Sequence, residues 1–172
     1  MELVDLYDEN RAPLGKTAER HAPKRPGEYR MVVHVCLFDS RGRLLIQKRT
    51  MEKHIWPGLW DVSVGGGVDA GETSRQGAER EFREELGYVL DLTDLRPAVT
   101  VNFQEGFDDF YIVTRDLDET KLVLQKEEVE TVRWVTMEEL LAMVDSGEFI
   151  PYPKSFLAFL FDMRGSFGFP TK

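Results

Sequence analysis

The sequence predicts an α+β fold: a mixed β-sheet with helices packed on it. Two observations carry this reading. Apolar, β-branched runs bounded by turn residues recur along the chain, and helical stretches with capping signals stand among them without the regular strand–helix–strand alternation of an all-parallel sheet. At 172 residues the chain is expected to form one domain. It divides into an N-terminal hairpin extension over 1–29, a core over 30–145 and a C-terminal helix over 146–172.

Residues 3–20 read as a strand, a tight turn at Asp8-Glu9-Asn10 and a polar return. Pro23, Pro26 and Gly27 mark a connecting loop. MVVHVCLF (31–38) and RLLIQKR (43–49) flank a Gly-containing turn and predict a hairpin. KHIWPGLW (53–60) is a loop, and 60–64 is a short strand running into Gly65-Gly66-Gly67. From Thr73 the pattern turns helical. Thr73 or Ser74 supplies the capping hydroxyl, and Gly87 stops the helix. Stretches 96–103 and 107–115 predict a second hairpin, and 131–135 a final strand. Thr136 and Glu139 form a capping-box pattern opening a helix to about Asp145, and 154–163 is the last helix.

Composition narrows the function. With 42% hydrophobic and 31% charged residues the chain is not disordered. A net charge of -9 argues against a broad nucleic-acid-binding face, since acidic surface repels the phosphate backbone. It leaves room for a small anionic substrate, because a divalent ion inverts local charge. No apolar run approaches the ~18 residues of a membrane span. The acidic start has no leader pattern, and a single cysteine, Cys36, makes no intrachain disulfide. A cytoplasmic protein is expected, with neither duplex nucleic acid nor membrane as partner.

The most informative stretch is GGGVDAGETSRQGAEREFREELGY, 65–88. At ~100° per residue, Glu81, Glu84 and Glu85 fall within an arc of about 100°. Ala78, Phe82 and Leu86 lie on the adjoining side and anchor the helix to the core. Three carboxylates on one face repel one another unless a cation sits there, and hard divalent ions take such oxygen ligands. Taken alone, they are better explained as a solvated acidic face.

The spacing changes the odds. Gly66, five residues, Glu72, seven residues, Arg80-Glu81-Phe82, one residue, Glu84-Glu85, one residue, Gly87-Tyr88 resembles the signature box of the Nudix hydrolases at every fixed position. Seven fixed residue types coincide by chance on the order of once in 10⁵ sequences of this length. Tyr88 stands where the family carries an aliphatic residue. The resemblance extends over roughly residues 30–145 and implies the family's α/β/α sandwich and hydrolysis of a nucleoside diphosphate derivative by water attack on phosphorus.

By that resemblance Glu81, Glu84 and Glu85 hold Mg²⁺ or Mn²⁺, with the carbonyl of Gly65 or Gly66 as a further ligand. Arg80 pairs with Glu72 to orient them, and Glu81 assists a general base. Glu128, in the loop before the 131–135 strand, is assigned as that base; an exposed acid in a charged loop explains it equally well. Lys48, Arg49 and Trp56 are the candidate substrate contacts. His34 and Cys36 read as structural residues.

The WPGLW loop and the N-terminal hairpin look like the branch that includes isopentenyl-diphosphate isomerases. Those enzymes carry a cysteine where this chain has Gly65. Glycine has no proton to give, and the glutamate set is intact, so hydrolysis is favoured over isomerisation or a purely nucleotide-binding regulator. The aromatic tail, 156–169, is apolar enough for a homodimer interface, and a helix covering its own sheet accounts for it equally.

Overall fold

The computed structural model describes residues 2–165. Strand β3 (Arg30–Phe38) occupies the middle of the molecule and is buried on both faces over its second half. Successive strand residues point to opposite faces. Met31, Val33, Val35 and Leu37 therefore enter one core, while Cys36 and Phe38 enter the other. Burial on both sides is why this strand reads as a continuous apolar run. His34 is its one polar interruption.

The sheet around β3 is mixed, as expected. β8 (Gly106–Thr114) runs parallel to β3, and β7 (Val99–Phe103) pairs antiparallel with β8 as a hairpin. On the other side β4 (Leu44–Arg49) pairs antiparallel with β9 (Val129–Val135) and with β5 (Trp60–Asp61), while β6 (Val64–Gly67) pairs antiparallel with β3. β3 and β4 meet only at Phe38 opposite Leu44, then diverge. Buried Ser63 fills the split: its Oγ accepts from the Leu37 N–H at 2.8 Å and donates to the Leu45 carbonyl at 2.6 Å. The expected single strand at 60–64 is consequently two. One piece pairs with β4, and the glycine-rich piece crosses to β3.

Helix α1 (Ser74–Leu86) opens on a reciprocal capping box between Thr73 and Gln76 and ends at Gly87 in the left-handed conformation, φ 65°. Ala78, Phe82 and Leu86 are buried against the Val33–Val35–Leu37 side. Burying a side chain such as Phe82 or Leu86 stabilises by about 1.5–3 kcal/mol. Helices α2 (Met137–Ser146) and α3 (Lys154–Met163) cover the opposite face with Leu140, Met143, Leu157, Leu160 and Phe161. The sheet thus lies between helices. The described part of the aromatic tail packs on the chain's own sheet; 166–169 lie outside the described residues.

The N-terminal hairpin, β1 (Leu3–Tyr7) and β2 (Pro13–Glu19), forms a separate two-stranded sheet. Val4 and Leu6 bury its inner face, and Tyr7 and Tyr29 exchange backbone hydrogen bonds at 2.8 and 2.9 Å. At its turn Arg11 adopts φ 63°, a conformation that costs a non-glycine residue roughly 1–2 kcal/mol. The turn aims its guanidinium at buried Asp109, which it meets through two nitrogens at 3.0 and 2.8 Å. Asp109 also accepts from Thr100 Oγ1 at 2.5 Å and Ser74 Oγ at 2.6 Å.

Removing one partner of a buried pair costs about 3–5 kcal/mol, and less where that partner is a third exposed, as Arg11 is. Arg11→Ala is therefore expected to lower stability by about 2–3 kcal/mol in urea denaturation. A loss below about 0.5 kcal/mol, the range of ordinary surface changes, would show that this pair does not fasten the hairpin.

Candidate functional site

The carboxylates are set in place by what happens at the C-terminal end of α1. The last turn of a helix leaves carbonyls unpaired, and here they capture the following loop. The Val123 N–H donates to Leu86 O at 3.1 Å and the Gln125 N–H to Glu85 O at 3.0 Å. That loop is tied in turn to the one after β4, through Thr50 N–H to Glu128 O at 3.2 Å and Thr50 Oγ1 to Glu127 O at 2.8 Å. The result is a polar cavity of about 240 Å³ lined by Gly65, Gly66, Glu81, Glu84, Glu85 and Glu128, with Arg20, Lys53 and Arg80.

Glu81 and Glu85 are buried, whereas Glu84 sits half-exposed at the rim. Arg80 lies at the centre of the network. It grips Glu72 through Nε at 2.9 Å and Nη2 at 3.0 Å, and donates through Nη1 to Glu81 at 3.0 Å and Glu84 at 3.1 Å. Burial opposes its charge, but the hydrogen bonds to Glu72 and the charge of Glu81 outweigh that and raise its pKa. Glu85 accepts from Gln47 Nε2 at 3.0 Å. Burial, reinforced by the neighbouring charge of Glu81, pushes Glu85 up to about 7. Glu128 pairs with Lys53, whose own pKa is lowered by burial.

This donor set fits a hard divalent cation, which prefers oxygen ligands and often needs only one or two carboxylates. Gln47 Oε1 is buried beside Glu85 with no hydrogen-bond partner among the described residues. A Cβ on Gly66 would stand 2.1 Å from the Glu81 carboxyl carbon, so only glycine lets the backbone lie against that carboxylate. Among the described residues, no three acidic, histidine or cysteine side chains converge as a ready-made cage. Arg80 and Arg20 hold Glu81, and Gln47 holds Glu85.

A second cavity, of about 400 Å³, adjoins the first and shares Arg20, Lys53, Gly65 and Gly66 with it. Its walls include Arg49, Trp56, Ile150 and Tyr152. His34 and Asp108 also line it, joined at 2.7 Å through Nδ1, and the imidazole stacks on Phe110 with 4.7 Å between centroids. Burial alone lowers the His34 pKa; the charge and hydrogen bond of Asp108 override it and raise it to about 9. A larger cavity of about 700 Å³ lies elsewhere, beside Arg11 and Asp109. Its buried carboxylate is already supplied with donors, so it offers no unspent chemistry.

The predicted residues are thus divided. Gly65, Gly66, Arg80, Glu81, Glu84, Glu85 and Glu128 meet at the first cavity, and Arg49 and Trp56 line the second. Lys48 is brought to neither: its Nζ pairs with Glu130 at 2.8 Å. Adjacent strand residues face opposite ways, so Lys48 and Arg49 cannot share a site, a signal already present in the sequence. Sequence reasoning did not single out Arg20, Lys53, Asp61, Asp108 or Tyr152, and His34, read there as structural, lines the second cavity. His34 alone carried a sign, as the polar break in an apolar strand. Cys36 is buried as expected, and burial raises its thiol pKa.

Comparison with known proteins agrees with this geometry. The NUDIX domain family model matches residues 28–154. An uncharacterised Nudix hydrolase of Listeria monocytogenes is 49% identical over 166 residues, covering 96% of this chain and 97% of that one. An isopentenyl-diphosphate Delta-isomerase of Streptomyces avermitilis is 32% identical over 145 residues, covering 80% of this chain and 73% of its own. Among solved structures, a Deinococcus radiodurans protein superposes with a TM-score of 0.71 at 28% identity, covering 92% of this chain and 97% of that one.

The Glu85 environment predicts a pH effect on the metal-free chain. Its carboxyl titrates near 7 when folded and near 4.5 when unfolded, so between those values the folded state binds more protons and stability falls as pH rises. The shift corresponds to about 3 kcal/mol lost between pH 4.5 and 7. Thermal melts with chelator across this range should show that decline, and Glu85→Gln should flatten it. An equal decline in Glu85→Gln would place its origin elsewhere.

Proposed function

The chain belongs to the Nudix family of pyrophosphohydrolases, and on that premise we propose that it cleaves, with a divalent metal ion, the diphosphate linkage of a nucleoside diphosphate derivative or related organic diphosphate. One observation carries the reading: a carboxylate-lined cavity shares Arg20, Lys53, Gly65 and Gly66 with a second one furnished with cations and rings. Glu81, Glu84 and Glu85, with the Gly65 or Gly66 carbonyl, would hold Mg²⁺ or Mn²⁺. Such an ion, when bound, neutralises phosphate oxygens and lowers the pKa of a bound water.

The chain's own residues do the rest. Glu128 lines the cavity and takes the proton of the attacking water, with Glu81 assisting. Lys53, paired with Glu128, holds it there. Arg80 is a positioning residue, pinning Glu81 and Glu84 from its anchor on Glu72. Arg49, held by Asp61 at 3.3 Å and by the Ile55 carbonyl at 3.1 Å, presents charge to the substrate in place of Lys48. Trp56, with φ 52° and half-exposed, offers a flat apolar face. No described helix is long and apolar enough to cross a membrane; a cytoplasmic setting and a small-molecule partner belong to the same reading.

The Streptomyces relatives favour a second reading, isomerisation of isopentenyl diphosphate. It meets an obstacle at Gly65. A Cβ there would stand 2.5 Å from Cδ2 and Nε2 of His34, so the imidazole already fills the space a cysteine would need. This supports hydrolysis.

A screen of NDP-sugars, dinucleotides, nucleoside triphosphates and prenyl diphosphates with Mg²⁺ and Mn²⁺ tests the proposal. Turnover of at least one diphosphate is expected. Folded protein that turns over none, or that binds a nucleotide tightly without cleaving it, would refute it. Glu84→Gln and Glu85→Gln should each slow the reaction by at least ~10²-fold with the fold intact, since metal-based charge stabilisation is worth several kcal/mol. A loss of tenfold or less would remove these residues from the ligand set.

A further inference from the structure

Arg20 follows directly on β2, far in sequence from the glutamate-rich helix, yet its guanidinium reaches that helix. Nη2 donates to the Gly67 carbonyl at 3.0 Å and to Glu81 Oε1 at 3.2 Å, and Nη1 pairs with Glu2 at 2.7 Å. A Cβ on Gly67 would stand 2.5 Å from Arg20 Nε, so the glycine admits the guanidinium. Arg20 also stands where the two cavities join and lines both. A molecule reaching from the ring-lined cavity to the carboxylates passes it.

Two guanidinium groups share Glu81 Oε1, Arg20 at 3.2 Å and Arg80 at 3.0 Å. They are not equally committed. Arg80 is gripped by Glu72 through two nitrogens. The other acidic partners of Arg20 are Glu2, which is largely exposed, and Asp69, no closer than 3.9 Å. Its Nε is buried without a hydrogen-bond partner among the described residues. That donor awaits an oxygen acceptor.

We propose that Arg20 binds the diphosphate of the substrate, giving up Glu81 for phosphate oxygens when a divalent cation takes that carboxylate. The proposal rests on the hydrolase reading of the site. A dication at Glu81 repels both neighbouring guanidinium groups. Arg80 stays on Glu72, and Arg20 is the one free to turn. Its planar fork matches two phosphate oxygens, and the substrate delivers them at the junction where it stands. The N-terminal hairpin is therefore part of the substrate site, and the Tyr7–Tyr29 and Arg11–Asp109 attachments fix where Arg20 emerges.

The test is calorimetric titration of methylenebisphosphonate, a diphosphate mimic whose P–C–P bridge resists hydrolysis, into the Mg²⁺-loaded full chain, with a parallel titration of Mn²⁺ into the metal-free chain. Arg20→Ala should weaken mimic binding at least fivefold, and Arg20→Lys should weaken it less. Gly67→Ala should behave like Arg20→Ala, because the new methyl group displaces the guanidinium. Mn²⁺ binding by Arg20→Ala should be as tight as in the wild type or tighter, a competing cation having been removed. A smaller loss of mimic affinity in Arg20→Ala overturns the assignment; so does a parallel loss of Mn²⁺ affinity, which would make Arg20 a prop for the carboxylates. If Arg20→Ala does not fold, Gly67→Ala is held to the same threshold. A wild-type chain that fails to bind the mimic yet turns over a diphosphate overturns the proposal alone; one that does neither overturns the hydrolase reading with it.

Discussion

Two buried carboxylates, Glu81 and Glu85, lie one helical turn apart in the same cavity, and the rest of the architecture answers to that repulsion. Like charges at this spacing destabilise a helix, and burial removes the water that would screen them. The burden shows in Glu85, which is pushed up to about 7. Helix α1 tolerates the arrangement because its other side is locked: Ala78, Phe82 and Leu86 are in the core, both ends are capped, and its last carbonyls hold the 123–128 loop. Cations brought in from elsewhere complete the balance, Arg80 from the helix itself, Arg20 from the hairpin and Lys53 from the loop after β4.

Strand β6 makes this convergence possible by having no side chains over three consecutive residues. The space beside each glycine is taken by a residue from a different part of the chain: His34 beside Gly65, Glu81 beside Gly66 and Arg20 beside Gly67. Strand alternation sorts them. Gly65 and Gly67 face the side shared by His34 and Arg20, and Gly66 faces the helix. A backbone strip stripped of side chains thus lines both cavities, with a carboxylate against one of its faces and imidazole and guanidinium against the other. A side chain at 65 would have to grow into the space that His34 occupies.

The hairpin β1–β2 shows how a remote segment enters such a site. It has its own two-stranded sheet and little core. Its position is set by backbone pairing at Tyr7–Tyr29 and by one buried ion pair at its turn. Those attachments lie at its turn; at the other end, beside Arg20, the Ala70 N–H donates to the Leu3 carbonyl at 2.8 Å. Held at both ends, the hairpin fixes the reach of an arginine that nothing in its local sequence distinguishes.

Much of this was legible in the residues alone. The order of strands and helices, the Thr136–Glu139 capping box, the mixed sheet and the grouping of Glu81, Glu84 and Glu85 follow from local propensity and fixed spacing, which act over a few residues and survive without knowledge of partners. The pairing of Arg80 with Glu72 followed from the family resemblance. What the tertiary structure decided is non-local. The split between β3 and β4 depends on Ser63, the exclusion of Lys48 depends on which face of β4 turns inward, Arg20 and His34 join the site only because distant segments pack beside Gly67 and Gly65, and Lys53 joins it through its pairing with Glu128. Long-range contacts are set by how faces bury against one another, and a linear pattern records which face is apolar but not what will lie against it.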